Sequence, residues 1–426
     1  MSEAPTAGPS SALGSRPRIR VGLIVNPIAG LGGRVGLHGS DGPRLAERAT
    51  ALGARPEASQ KASQTLRVLV SSWPRRFVPP LFIVAPGPMG EESASEAGLL
   101  QAAPDDDDQD RRGAGFVVAT GVLPARTSGE DTSRIAARLA ASHVDLLLFA
   151  GGDGTARDVQ VAIGDGPPVL GIPAGVKIQS SVFATSPTAA GRVAAAWLSS
   201  ARRRTLEREV LDLDEDAYRR GDVRPILFGY LRVPQDARVQ ARKAPTPPDD
   251  AASMRGIAES VVEGLDQGVR WILGPGTTVR AIADRLGVAK TLVGIDVVEW
   301  TSGAPSLVAH DVGERQLLAL AAAGPLRIIV TPIGGQGFLF GRGNQPISSA
   351  VIRAAVAAER GSDRGALKRA LRHAITVVST PGKLASLGGR PLLVDTGDRR
   401  LDAALAGPTT VITGYRDRAV VMIAAA

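Results

Sequence analysis

The chain has no cysteine, so disulfides, thiolate metal sites and a cysteine nucleophile are excluded together. It carries only four histidines, His38, His143, His310 and His373, spread too far apart in sequence to suggest an imidazole-based metal site, and no protein-held metal is expected. Aromatic residues make up 4% of the chain, and no compact basic run occurs beyond Arg202-Arg203-Arg204, which argues against a nucleic-acid partner. That triplet follows an apolar helical pattern and reads as a solvated last turn. No apolar stretch is long enough to cross a bilayer, and no basic amphipathic segment offers attachment to a membrane. Residues 1–17 are rich in Ser, Ala, Gly and Pro without an apolar centre, so a disordered tail is expected in place of a signal peptide, and the cytoplasm is the expected compartment.

What is present fits a globular protein of two domains. A length of 426 residues exceeds one ordinary core, and the expected division is 18–200 and 201–426, with the last strands free to return to the first domain. The formal charge of +8 comes from 50 basic and 42 acidic residues scattered along the chain, a distribution suited to polyanionic small molecules such as nucleotides. A homo-oligomer is expected. The acidic run 105–110 reads as a solvated surface insertion.

Short apolar runs at 20–25, 81–85, 116–120, 146–150 and 168–172 alternate with helical patterns, which predicts an α/β domain with a mostly parallel sheet. Several of these runs end in glycine-bearing loops, so the loops can converge at the carboxyl edge of the sheet. After residue 200 the character changes. The second, α+β domain is expected to open with strands at 206–213, 226–233 and 238–243 and a linker or long turn at 244–250.

The most informative stretch is 144–159. Its apolar strand runs directly into Gly151-Gly152-Asp153-Gly154-Thr155, with a helix expected near 156–163. Glycines permit a tight turn and close approach of a ligand, and a helix N-terminus favours phosphate. A carboxylate repels phosphate, so Asp153 makes chemical sense there as a handler of a proton or a metal during phosphoryl transfer. The plainer reading is a βα turn whose Asp caps the helix. A second such transition, Trp271-Ile272-Leu273 into Gly274-Pro275-Gly276-Thr277-Thr278, suits phosphate or ribose, and helix capping explains it nearly as well. Residues 334–343 hold five glycines together with Arg342, and Asn344 follows; a loop so costly to order reads as ligand-facing.

The turn 151–155 resembles the signature shared by NAD kinases, diacylglycerol and sphingosine kinases and, more distantly, phosphofructokinases. Over most of its length, from Val21 on, the chain is similar to the divergent branch called ATP-NAD kinase-like, which includes the acetoin-catabolism X proteins. The matching blocks are 26–30, 87–91, 130–132, 151–158, 171–180, 274–278, 294–296 and 331–348. Residues 93–115 fit that branch poorly and read as a local insertion. Pro173 stands where ordinary NAD kinases carry Asn, Lys177-Ile178-Gln179 replaces their Gly-Phe-Leu, and the Gly-Thr-x-Asn-Asp run of a lipid kinase is missing.

The resemblance implies an NAD kinase/diacylglycerol kinase-like fold and transfer of phosphate from ATP, or polyphosphate, to the 2′-hydroxyl of NAD, with Mg2+ accompanying the nucleotide. Asp153 would be the catalytic base. Asn26, Pro27, Gly30, Gly87, Asp131, Thr132, Gly151, Gly152, Gly154, Thr155, Gly175, Lys177, Gly274, Gly276, Thr277, Thr278, Asp296, Gly335, Arg342 and Asn344 would contact nucleotide or substrate. Two alternatives stay open: a catalytically silent nucleotide-binding regulator, and a lipid or small-molecule kinase.

Overall fold

The computed structural model describes residues 18–37, 43–54, 56–102, 113–119, 121–124, 126–175, 178–213, 225–240, 250–301, 304–357 and 366–426. The expected tail, the acidic run 105–110, nearly all of the linker and Lys177 lie outside the described residues.

The first body is built on a six-stranded sheet in the order β3-β4-β2-β1-β5-β6, all neighbours parallel. Its strands are β1 (Arg20–Val25), β2 (Leu81–Val84), β3 (Leu100–Gln101), β4 (Gly115–Val118), β5 (Leu146–Gly151) and β6 (Val169–Pro173). Strands β2, β5 and β6 are buried along their whole length, as expected where helices cover both faces of a parallel sheet. The helices are α1 (Pro43–Ala51), α2 (Ala58–Ser71), α3 (Glu91–Glu96), α4 (Gly129–Ala141), α5 (Asp153–Ile163) and α6 (Pro187–Leu198). The chain runs outward from β1 through β2 to the edge strand β3, returns inward to β4, and then crosses to β5 on the other side of β1. Right-handed crossovers therefore put α2 and α3 on one face and α4 and α5 on the other. This reversal makes the carboxyl ends of β1 and β5 the topological switch point, where α/β sheets bind their ligands.

An antiparallel ribbon of β7 (Thr205–Leu213) and β8 (Pro225–Pro234) follows. Its buried residues Val210, Leu231 and Val233 join the first core. A domain boundary at residue 201 would thus cut the ribbon from the core it packs against. The strand expected at 238–243 is reduced, among the described residues, to one antiparallel bridge between Val239 and Ala184.

The second body contains a nine-stranded mixed sheet in the order β11-β10-β9-β12-β14-β16-β17-β15-β13. Its strands are β9 (Arg270–Leu273), β10 (Asp296–Thr301), β11 (Ala304–Ala309), β12 (Leu326–Val330), β13 (Phe338–Phe340), β14 (Ile375–Val378), β15 (Leu392–Val394), β16 (Gly407–Gly414) and β17 (Asp417–Ala425). Its helices are α7 (Ala251–Val262), α8 (Thr277–Leu286), α9 (Glu314–Ala322), α10 (Ser349–Ala357), α11 (Ala366–Ala374), α12 (Pro381–Ala385) and α13 (Arg399–Leu405). The last strands do not return to the first domain: β17 pairs with β16 and β15, and Ile423 is buried in the second core. The bodies touch where the Glu314 amide donates to the Arg34 carbonyl at 2.9 Å. Among the described residues no helix is long and apolar enough to cross a membrane.

Candidate active site

The switch point is pinned by backbone before any side chain is considered. The Gly151 carbonyl accepts from the amides of both Ala174 and Gly175 at 2.9 Å, which holds the end of β5 against the end of β6. A Cβ on Gly175 would lie 2.6 Å from the Gly152 Cα, so the two segments can meet this closely only with glycine at 175. Gly30, in a left-handed turn at φ +78°, brings the loop after β1 onto the same place. A Cβ there would lie 2.1 Å from the Ala174 carbonyl oxygen. Asn26 completes the join: its Nδ2 donates to Thr155 Oγ1 at 3.0 Å and its Oδ1 accepts from the Ile28 amide at 3.2 Å. The sequence pattern suggests that these glycines face a ligand; the close approach of backbone to backbone already requires Gly30 and Gly175. Helix α5 begins at Asp153, not near 156, so Gly154 and Thr155 lie in its first turn.

Asp153 does not cap its own helix. Its Oδ2 accepts from the Gln179 amide at 2.7 Å and its Oδ1 from the Ser180 amide at 2.9 Å. Burial raises its pKa to about 7, against the lowering effect of the Ser180 hydroxyl and the two amides, and the Asp212 charge adds to the rise. A carboxylate so placed gains and loses a proton near neutrality, as a general base requires. The Ser180 hydroxyl donates to the Leu211 carbonyl at 2.8 Å and accepts from the Leu211 amide at 3.0 Å, which ties this segment to β7. Gln179 and Ser180 were missed as partners of Asp153 from sequence, although both stood inside a block already singled out.

The glycine-rich loop of the second body faces this segment. Gln336 Nε2 donates to the Ile178 carbonyl at 3.3 Å, and Arg342 Nη2 donates to the carbonyls of Ala184 and Thr185 at 3.1 and 2.7 Å. The Arg342 guanidinium lies 4.3 Å from the Phe338 ring centroid. Burial lowers its pKa to about 10, while the charges of Asp395 and Asp153 oppose that shift. Gly335, Gly337, Gly341 and Gly343 all take positive φ, so part of the glycine content is explained by turns. Gly335 is also held by protein, its amide donating to Ser386 Oγ at 3.1 Å and its carbonyl accepting from Arg390 at 2.9 Å. Asn344 Nδ2 donates to the Leu339 carbonyl at 2.8 Å.

Other expected contacts fall elsewhere. Asp131 accepts from the Ser128 amide at 2.9 Å and so closes the N-terminus of α4, with Thr132 buried beside it. Gly87 opens a short 3-10 turn, its amide bonded to Glu91. Gly274, Gly276, Thr277 and Thr278 form the β9–α8 turn of the second sheet, where the buried Lys383 Nζ donates to Thr278 Oγ1 at 2.9 Å and to Thr331 Oγ1 at 3.3 Å. Pro27 lies in the loop after β1, between Asn26 and Ile28.

Asp296 is fully buried and accepts from the Thr291 amide, the Thr291 hydroxyl, Lys290 Nζ and the Asp311 amide. Lys290 is equally buried, and desolvation lowers its pKa. Asp296→Ala would leave that ammonium without its counter-charge, so a loss of about 3–5 kcal/mol in unfolding free energy is expected. Nucleotide affinity of the folded fraction should be unchanged; a loss of affinity at unchanged stability would instead make Asp296 a ligand contact.

Residues 21–201 match the ATP-NAD kinase N-terminal domain and residues 266–423 match the ATP-NAD kinase C-terminal domain. No curated protein matches the chain. Two solved structures described as diacylglycerol kinases from Bacillus anthracis strain Sterne are similar over part of it. Both are 14% identical with a TM-score of 0.22; one alignment covers 46% of each chain, the other 45% of this chain and 44% of that one. The chain thus spans less than half the length of these structures, whereas the two domain matches together take in most of its own residues. A parallel α/β body with the Gly151–Thr155 turn at its switch point, followed by a mixed-sheet body, belongs to the ATP-NAD kinase family.

Proposed function

We propose that the protein transfers the terminal phosphoryl group of ATP to the 2′-hydroxyl of the adenosine ribose of NAD, giving NADP. The observation that carries this reading is Asp153, a carboxylate buried at the switch point with a pKa of about 7. Both of its oxygens already accept one amide, which fixes their direction, and the lone pairs left over can take a hydroxyl hydrogen bond. As the ribose oxygen forms its bond to phosphorus and the bond to the bridging oxygen of ADP breaks, the hydroxyl proton passes to Asp153 and then to solvent. In-line positioning and charge neutralisation carry most of the catalysis in such transfers. The buried Arg342 cation, close enough to interact with Asp153, is placed to offset phosphoryl charge.

On this reading magnesium enters bound to the triphosphate and stays a property of the substrate. Purified protein incubated with ATP-Mg2+ and NAD should accumulate NADP, with polyphosphate as a parallel donor. Binding of NAD without NADP from either donor would favour the silent regulator; phosphorylation of a diacylglycerol in place of NAD would favour the lipid kinase.

A further inference from the structure

We infer that Arg342, Asn344 and Asp395 form a subsite for a pair of neighbouring sugar hydroxyls on the acceptor. The inference rests on the nucleotide reading above and adds residues that recognise one part of the ligand.

Arg342 is 7% exposed, and two of its bonds are spent on the Ala184 and Thr185 carbonyls through Nη2. Its Nη1 is buried and has no hydrogen-bond partner. Two residues on, Asn344 is 4% exposed; its Nδ2 is bonded, while its Oδ1 is buried without a partner. Asp395 follows β15, and its backbone is pressed against the Arg342 loop, since a Cβ on Gly341 would lie 1.9 Å from the Asp395 carbonyl oxygen. Burial raises the Asp395 pKa, while Arg342 and Lys61 draw it down. Arg342 and Asp395 thus interact electrostatically, yet they form neither an ion pair nor a hydrogen bond, and the Asp395 carboxylate has no hydrogen bond among the described residues. Glu57, nearby on the first body, is already satisfied by Lys61 at 3.0 Å and Arg34 at 2.9 Å.

Buried polar groups without partners are costly, and a native structure that keeps two of them, Arg342 Nη1 and Asn344 Oδ1, on a loop beside a half-buried carboxylate without a hydrogen bond has a use for them. The unmet needs are one donor and two acceptors. A phosphate brings acceptors alone and would leave Asp395 and Asn344 Oδ1 unpaired beside its own negative charge. A vicinal diol fits: each hydroxyl both donates and accepts, so one can accept from Arg342 Nη1 while both donate to Asp395 and Asn344.

The test compares wild type with Asp395→Ala by calorimetric titration of NAD and of two NAD analogues, one lacking the hydroxyls of the adenosine ribose, the other those of the nicotinamide ribose. Asp395→Ala should weaken NAD binding about 10-fold or more, as for loss of a charge-assisted bond. Its melting temperature should move little, because the substitution relieves a partly desolvated carboxylate without a hydrogen bond but also withdraws a charge that supports the buried Arg342 cation. With one of the analogues the substitution should have no further effect, and that analogue identifies the ribose. Equal weakening for all three ligands, or none for any, overturns the inference. If Asp395→Ala does not fold, Asp395→Asn is put through the same comparison. NADP formation by wild type is followed in parallel. NADP formed with no Asp395 effect sinks this inference alone; the analogue pattern without NADP sinks the transfer reading alone; no NAD binding by wild type sinks both.

Discussion

Formation of NADP should rise with pH through about 7 and level off above it, because under the proposed mechanism Asp153 accepts the hydroxyl proton only when ionised and burial places its pKa there. The same shift acts on stability with the opposite sign. The native-state pKa lies above the ordinary Asp value of 3.8, so between about pH 4 and pH 7 the folded protein binds more protons than the unfolded chain. The contribution of this residue to stability is therefore complete below about 4 and lost as pH rises through 7, a change on the order of a few kcal/mol. Activity and this part of stability change in opposite directions across one window. Asp153→Asn should remove turnover by about 10²–10⁴-fold and flatten the melting-temperature profile between those pH values. It is not a silent substitution in the fold. The amide keeps one acceptor for the Gln179 and Ser180 amides and turns its own N–H2 toward the other. Near-normal turnover in the variant, or a wild-type rate that falls as pH rises through 7, would reject Asp153 as the base.

How far the site could be read from sequence follows from what each residue does locally. The alternation of apolar runs with helical patterns located the first sheet, because a strand buried on both faces must be apolar throughout, and β5 and β6 are. The turn at Gly151–Thr155 was conspicuous for the same local reason. Its chemistry was less legible, since the groups that hold Asp153 come from 26 and 27 residues downstream and act through backbone amides, which leave no side-chain signature. Glycines in such turns signal a close approach, but sequence cannot say whether a ligand or another stretch of backbone makes it; at Gly175 the turn after β5 does. Asp395 follows a strand of three residues and stands in no periodic pattern, so nothing local marks it. The ribbon β7–β8 carries apolar residues on both strands with no clean alternation, and only its buried Val210, Leu231 and Val233 reveal which core it serves.

Gly30→Ala should damage both fold and turnover, and Gly53→Ala separates the causes. Both glycines hold a left-handed backbone, φ +78° and +87°, so each substitution carries the conformational cost of about 1–2 kcal/mol. At Gly53 a Cβ meets nothing within 4 Å, and the cost should end there with turnover intact. At Gly30 the Cβ would lie 2.1 Å from the Ala174 carbonyl oxygen. That oxygen cannot simply withdraw, because the amides of Ala174 and Gly175 are both held by the Gly151 carbonyl. Forcing the contact should add about 1–3 kcal/mol, as for overpacking elsewhere. The strain has one exit, movement of the segment after β6, and that segment carries the Gln179 and Ser180 amides that aim Asp153. A displacement near 1 Å at a catalytic group costs about 10²-fold in rate. Denaturant unfolding and initial rates on the two variants check both halves. If Gly30→Ala costs no more than Gly53→Ala and turns over normally, the loop after β1 does not hold the switch point, and the alignment of Asp153 must come from β5 and β6 alone.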